Sequence, residues 1–410
     1  MNSRFTSEFF AGNRQRLRGL FTGTAPIVVT ANGLLQRGGD STFAFAQDAN
    51  FWYLTGIDEP DIILVMDRDK EYLIVPQRNA TREAFDGSVA AEPLIQRSGV
   101  QNVYDDAAGW EQLESRLKKV KHAATLALPP AYIEHYGLYT NPARAALVQR
   151  LKALKPELEL LDLSPHLGRM RMIKQQPELL AIQNAIDITV ATIKESFRPS
   201  KLRKYAHEYE LEAELSRGFR RRGASGHAFE PVVAGGSRAC VLHNVANAGA
   251  LAADELIVVD VGAEIEHYAA DITRTVNLGS PSRRQEAVHA AVLEVHHFAC
   301  GLLRPGTMMR DYEQQIEHFM GEKLRELGLI KTINHENVRQ YFPHATSHFL
   351  GLNVHDVGDY ERPLEPGVVL TVEPGIYIPR ESIGVRIEDD VLITHKGIRV
   401  LSNKLPRELY

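Results

Sequence analysis

The sequence predicts an α/β amino-terminal domain followed by an α+β carboxy-terminal domain. Three observations carry this reading. Up to about residue 165, short apolar strand-like runs alternate with helix-like segments. Around "LDLSPHLGRMRMIKQQPE" (161–178) the texture changes, and after two long helical patterns β-branched strands dominate. A chain of 410 residues also exceeds one comfortable hydrophobic core. The expected domains are therefore 1–168 and 169–410.

Residues 1–22 carry Arg4, Arg14, Arg16 and Arg18 against Glu8 alone, a bias shared with mitochondrial transit peptides. An ordinary packed helix explains the segment better: Ser7 can cap it, and Phe10, Leu17 and Phe21 recur near helical spacing. "APIVVTA" (25–31), "IILVM" (62–66) and "EYLIVPQ" (71–77) read as strands of a buried sheet. "GWEQLESRLKKVK" (109–121) and "NPARAALVQRLKAL" (141–154) read as helices, the second started by Asn141 and Pro142. Past the boundary, Ile182, Ile186, Val190, Ile193 and Phe197 form one apolar helical stripe. "EYELEAELSRGFRRRG" (208–223) ends in a basic turn and a glycine, as a helix carboxy terminus favours. Helices are expected again at 285–304 and 311–327.

Composition excludes several classes of function. A net charge of -5 with no long single-sign run argues against nucleic acid as a partner. The longest apolar runs are far too short to span a bilayer. Cys240 and Cys300 are too few for a disulfide framework and suit a reducing compartment, so a cytoplasmic location is expected.

"VVDVGAEIEHYAADITRT" (258–275) reads as a hairpin with Asp260 and Asp271 placed inside its strands. Aspartate is depleted in strands, and a buried carboxylate is costly unless neutralised. A tight turn would set the two carboxylates side by side. Taken alone, edge-strand or turn-capping acids explain the pair as well as a metal site does. The arrangement then recurs: "GVVLTVEPGIYIP" (367–379) carries Glu373 and "IGVRIEDDVLIT" (383–394) carries Glu388. Four buried carboxylates without a cation would be very unfavourable. Between the pairs falls "HATSHFLGLNVHD" (344–356), with His344, His348 and His355. Carboxylates with one imidazole suit two hard or borderline divalent cations such as manganese, and neither cysteine is near enough in sequence to suggest a structural zinc. Arg386, two residues before Glu388, should share its strand face and either pair with a site carboxylate or remain solvated. His289, His296 and His297 lie on one helical segment without an accompanying carboxylate pattern and read as structural.

In their order, these motifs resemble the metallopeptidases of the pita-bread fold, which include aminopeptidase P, prolidase and methionine aminopeptidase. The likeness rests on "LHNVAN" around His243, "VVDVGAE", "YAADITRT", "SHFLGLNVHDVG", "TVEPGIYI" and "GVRIEDDVLIT". "FAFAQDANFWYLTGIDEPDIILVM" (43–66) is similar to the amino-terminal domain of the aminopeptidase P branch. The resemblance implies a pita-bread catalytic domain and a metal set of Asp260, Asp271, His348, Glu373 and Glu388, with Asp271 and Glu388 bridging two divalent ions, manganese foremost. It implies that Glu373 accepts a proton from water, and that His243 and His355 bind substrate and stabilise or protonate the tetrahedral intermediate. A role for both histidines in merely orienting ligands stays open. His344 and Tyr377 are candidates for lining the substrate pocket.

The implied activity is release of the amino-terminal residue from peptides with proline second, by a homo-oligomer, dimer or tetramer. Prolidase action on dipeptides is the nearest alternative. A non-catalytic binding relative, or a metal-free creatinase-like amidinohydrolase, would be expected to have lost ligands that are present here. In "TREAFDGSVA" (81–90), Phe85 stands where many members carry tryptophan, and "HAFEPVVAGG" (227–236) also departs from the usual pattern. Both segments help shape the family's substrate cleft, so peptide length preference stays open.

Overall fold

The first sheet begins at Ile27 because Pro26 offers no N–H to a ladder, and a strand ends at Val75 because Pro76 follows it. The computed structural model describes residues 4–21, 23–126 and 140–409. The chain divides into two compact units, residues 1–170 and 171–410. In the first, a six-stranded sheet runs in the order Asn102–Asp105, Glu71–Val75, Ile63–Met66, Ile27–Thr30, His122–Thr125, Glu159–Asp162. Ile63–Met66 pairs antiparallel with both of its neighbours, whereas the outer pairings are parallel. Trp110, Leu113 and Leu117 of the helix Asp106–Leu117 and Leu147 and Leu151 of Ala143–Leu154 cover one face.

Two local expectations change. The first helix starts at Ser7 itself, with Thr6 in the cap position, so Ser7 is the first helical residue and not the cap. The helix expected to be capped by Asn141 starts at Ala143 with Pro142 in the cap position; Asn141, one residue earlier, accepts from the Ala143 N–H at 3.2 Å and binds both backbone groups of Gly33. It therefore ties a helix start to a loop far away in sequence.

In the second unit the helix Gln176–Ser196 buries Ile182, Ile186, Val190 and Ile193, with Phe197 at its end. Its start is a capping box between Gln175 and Glu178 with Pro177 in the first turn. Leu256–Val261 is the centre of a three-stranded sheet, flanked by Val232–Gly235 and Ile272–Asn277. A second three-stranded sheet joins Val369–Val372, Asp389–Thr394 and Gly397–Val400, and Gly375–Ile378 pairs with Ile383–Arg386. The helices Arg283–Leu302 and Met309–Glu326 pack their apolar faces, including Val288, Val292, Tyr312 and Ile316, into one core with Leu370, Val385 and Val391.

The turn expected between Asp260 and Asp271 is not tight. The two strands do pair, with Asp260 opposite Thr273. Residues between them leave the ladder, and Ala263–Ile265 and Tyr268–Ala269 form a separate small sheet with Gly226–His227. Gly262 permits this departure: a Cβ there would lie 1.6 Å from the Ala270 carbonyl oxygen. Because the obstacle is backbone, relaxation is expensive. Gly262→Ala is expected to cost about 1–3 kcal/mol of stability, the range for overpacking, measured by urea denaturation of the purified chain.

Candidate metal centre

The acids do not lie uniformly in strand interiors. Asp260 is within its strand, but Asp271 precedes Ile272–Asn277, Glu373 follows Val369–Val372, and Glu388 falls between Ile383–Arg386 and Asp389–Thr394. On one side of Glu373 and Glu388 the ladder pairs Val372 with Asp389, and on the other it pairs Gly375 with Arg386. The physical reason is accounting of backbone groups: at each break the N–H must find another acceptor. Glu373 donates to the Thr346 carbonyl at 2.8 Å and Glu388 to the Thr273 carbonyl at 3.1 Å. Asp271 donates to Asp390 Oδ2 at 3.1 Å.

His348 arrives on a segment that runs beside Val369–Val372, where the Thr371 N–H donates to its carbonyl at 2.9 Å. The helix Met309–Glu326 steadies this segment: Glu313 accepts from the Thr346 N–H, and the Tyr312 and Ser347 hydroxyls share a bond of 2.9 Å. His348 Nδ1 donates to the Phe349 carbonyl at 3.1 Å, which leaves the Nε2 lone pair facing inward. Nε2 is 3.4 Å from Asp271 Oδ2 and 3.3 Å from Glu373 Oε1. Among the described residues, Asp271, His348 and Glu388 offer ligand atoms that all lie within 4.8 Å of one another.

Burial, reinforced by Glu388, Asp260 and other neighbouring acids, pushes Asp271 well above the usual carboxylate range. Burial likewise raises Glu388, with Glu373 and Asp260 adding to it, and lifts Glu373 to about 8. Burial, then His355, lowers His348 to about 3, so its imidazole is neutral. Acids that resist ionising together, converging with a neutral imidazole acceptor, make a set that a divalent cation would relieve, and their oxygen and imidazole chemistry fits hard or borderline ions. Two further atoms fit the same role. Glu388 Oε1 and Asp260 Oδ1 are buried with no hydrogen-bond partner among the described residues, as a ligand atom reserved for an ion would be.

Arg386 is paired and not solvated. Its NH2 donates to Asp260 Oδ2 at 2.5 Å, NH1 to the Tyr377 hydroxyl at 2.8 Å and Nε to Thr273 Oγ1 at 3.2 Å. His344 Nε2 continues this chain to the Tyr377 hydroxyl at 2.9 Å. Burial, then Arg386, lowers His344 to about 3, and burial raises Tyr377 to about 12. The His355 ring lies tilted against that of His348, at 55° and with centroids 4.2 Å apart. Desolvation and then His243 lower its pKa, although both His243 and His355 keep solvent-exposed surface. All ten residues singled out from the sequence thus lie in or beside one cluster.

Several contributors were missed. Thr273 Oγ1 donates to Glu388 Oε2 at 2.6 Å, and Thr371 Oγ1 donates to Glu373 Oε1 at 3.4 Å. Each is two residues from a site acid in "DIT" or "TVE", so strand alternation was the available signal. Asp389 and Asp390, both 0% exposed, were visible only as the rest of "EDD". His296, read as lacking a carboxylate, has one in space: its Nε2 is 3.0 Å from Asp389 Oδ2.

Comparison with known proteins places this geometry in context. The family pattern described as "Metallopeptidase family M24" matches residues 181–395, and "Aminopeptidase P, N-terminal domain" matches 10–126. The chain is 34% identical to Xaa-Pro aminopeptidase 3 of Homo sapiens, over 93% of this chain and 79% of that protein. It is 32% identical to the Xaa-Pro aminopeptidase of Haemophilus influenzae, over 91% of this chain and 89% of the relative. Among solved structures it resembles aminopeptidase P from E. coli with the inhibitor Pro-Leu, at a TM-score of 0.85 and 28% identity, covering 98% of this chain and 96% of that one.

Proposed function

Since the chain belongs to the metallopeptidase family M24, we propose that it is a metal-dependent Xaa-Pro aminopeptidase. The observation that carries this reading is the inward Nε2 of His348, an acceptor 3.4 and 3.3 Å from the carboxylates of Asp271 and Glu373. Asp260, Asp271, His348, Glu373 and Glu388 would hold two divalent ions, with manganese the first choice for this oxygen-rich set. When bound, the ions supply Lewis acidity and lower the pKa of water.

The protein's own groups do the rest. Glu373, whose Oε1 lies 3.3 Å from His348 Nε2, accepts the proton of the attacking water. His243 and His355, both solvent-exposed, contact the peptide, and His355 donates a proton as the tetrahedral intermediate collapses. The carbonyl carbon gains the water oxygen, the C–N bond to proline breaks, and the proline nitrogen leaves protonated. Arg386 fixes Asp260 and, through Tyr377, His344. Proline's amide has no N–H, so recognition depends on ring shape, for which we assign Tyr377 and His344.

We assign this chemistry to a catalytic domain of residues 169–410, with 1–168 as the aminopeptidase P-type domain. We further infer a cytoplasmic homo-oligomer, dimer or tetramer. No helix of the described residues is long and apolar enough to cross a membrane. The test is a panel of Xaa-Pro dipeptides, Xaa-Pro-Xaa tripeptides, longer Xaa-Pro peptides and Xaa-Ala controls, assayed with manganese. Cleavage is expected only with proline second and the amino terminus free, with tripeptides and longer chains cut at least as well as dipeptides. Exclusive dipeptide cleavage would make the chain a prolidase, and methionine removal regardless of proline would overturn the reading. Full activity after exhaustive chelation would reject the metal centre.

A further inference from the structure

Behind the acids lies a second charge cluster that the chemistry above does not use. Asp389, next to Glu388, is 0% exposed, and both of its oxygens are engaged. Oδ1 accepts from Arg274 NH2 at 2.9 Å and from the Ser402 hydroxyl at 2.5 Å. Oδ2 accepts from Arg407 Nε and lies 3.0 Å from His296 Nε2. Arg274 stands three residues after Asp271 and ties together the segments that carry the acids. Its NH1 donates to the Thr273 carbonyl at 2.8 Å and to the Glu388 carbonyl at 2.5 Å. Its Nε and NH2 donate to the carbonyls of Pro406 at 2.7 Å and Leu405 at 3.0 Å. The Leu401 N–H closes the other end on the Asp390 carbonyl at 2.8 Å. Asp390 is the residue whose carboxylate receives the Asp271 N–H.

We propose that Ser402 and Arg407 are positioning residues for the metal centre, with the segment 401–407 acting as a clasp that fixes Asp271 and Glu388 at their mutual spacing. The proposal rests on the reading of those two acids as metal ligands. Its physical basis is that a buried carboxylate keeps its place only while its donors do. Without Arg407, Asp389 keeps one guanidinium where it had two, and the segment 401–407 loses its ion pair to Asp389. Any shift of Asp389 is passed to Glu388 through a single peptide bond, and ligands must be held within about 0.5 Å to bind well. Arg407 is itself partly exposed, 21% of its side chain, so it can be replaced without opening the core.

The experiment uses the full chain, stripped by chelator and titrated calorimetrically with Mn²⁺. Arg407→Met is expected to weaken manganese binding by roughly 10–100-fold, the usual effect of losing an outer support of a metal ligand. Hydrogen exchange across residues 383–394 should rise in the same variant, while circular dichroism stays unchanged. Arg407→Lys should recover most of the affinity, and Ser402→Ala should fall between the two. Arg399→Met, at an exposed position of the strand Gly397–Val400, should bind as the parent does. Parental affinity in Arg407→Met overturns the clasp. Should Arg407→Met not fold, parental affinity in Ser402→Ala overturns it instead. A parent chain that takes up no manganese is a different result: it overturns the ligand reading, and the clasp with it.

Discussion

Replacement of Asp271 or Glu388 by alanine is expected to abolish peptide hydrolysis and to strip the protein of metal. Both carboxylates are nearly inaccessible, at 5% and 1% exposure, and both converge with His348 on one point. The loss should exceed the roughly 10–100-fold that follows when only an outer support of a ligand is removed. Metal content measured by mass spectrometry after gel filtration, alongside rates at saturating manganese, checks both halves. The neutral isosteres Asp271→Asn and Glu388→Gln carry a second expectation. Burial and mutual repulsion make each charge costly in the metal-free fold. The metal-free isosteres should therefore melt a few degrees above the metal-free parent, in keeping with roughly 2–4 °C per kcal/mol for a domain of this size. A lower melting temperature in both isosteres would show that the acids stabilise the fold and would count against a site built for cations.

His355→Ala is expected to behave in the opposite way. Metal content should be retained and kcat should fall by roughly 10²–10⁴-fold, the usual yield of a general acid–base group. The geometry separates the cases: His348 aims Nε2 at Asp271 and Glu373, whereas the His355 ring lies tilted beside that of His348 and is itself exposed. Metal analysis paired with saturation kinetics on an Xaa-Pro tripeptide decides the matter. An emptied site in His355→Ala would make this residue a ligand and remove its assignment as proton donor.

Much of the centre was legible because it is made of residues that are wrong for their surroundings. A carboxylate in "VVDV" or "LTVEP" is conspicuous, and so is a histidine between two such acids. The pairing of Asp260 and Asp271 strands was legible too, since β-branched runs on both sides favour an antiparallel ladder. What lies between them was not. Nothing local in "GAEIEHYAA" announces that it leaves to pair with Gly226–His227. The strands His122–Thr125 and Asn102–Asp105 escaped notice because "HAAT" and "NVYD" carry little β-branched character. Their place comes from pairing partners, which tertiary context supplies. Thr273 and Thr371 read as ordinary strand threonines, and only the fold turns their hydroxyls to Glu388 and Glu373. Arg407 lies 18 residues from Asp389 in the chain, a separation that no local pattern spans.

The interruption of the strands at Glu373 and Glu388 has a kinetic meaning. These two acids are brought to one place by two separate ladders, one pairing Val372 with Asp389 and the other Gly375 with Arg386. A one-residue slip in either would turn side chains to the opposite face. A refolding chain therefore completes the centre only after both registers are correct, and the pairing of sequence-distant strands is slow. Uptake of a divalent ion during refolding then serves as a stopwatch for the last strand to lock. It should trail the recovery of far-ultraviolet ellipticity, and it marks the moment at which a nascent chain becomes an enzyme.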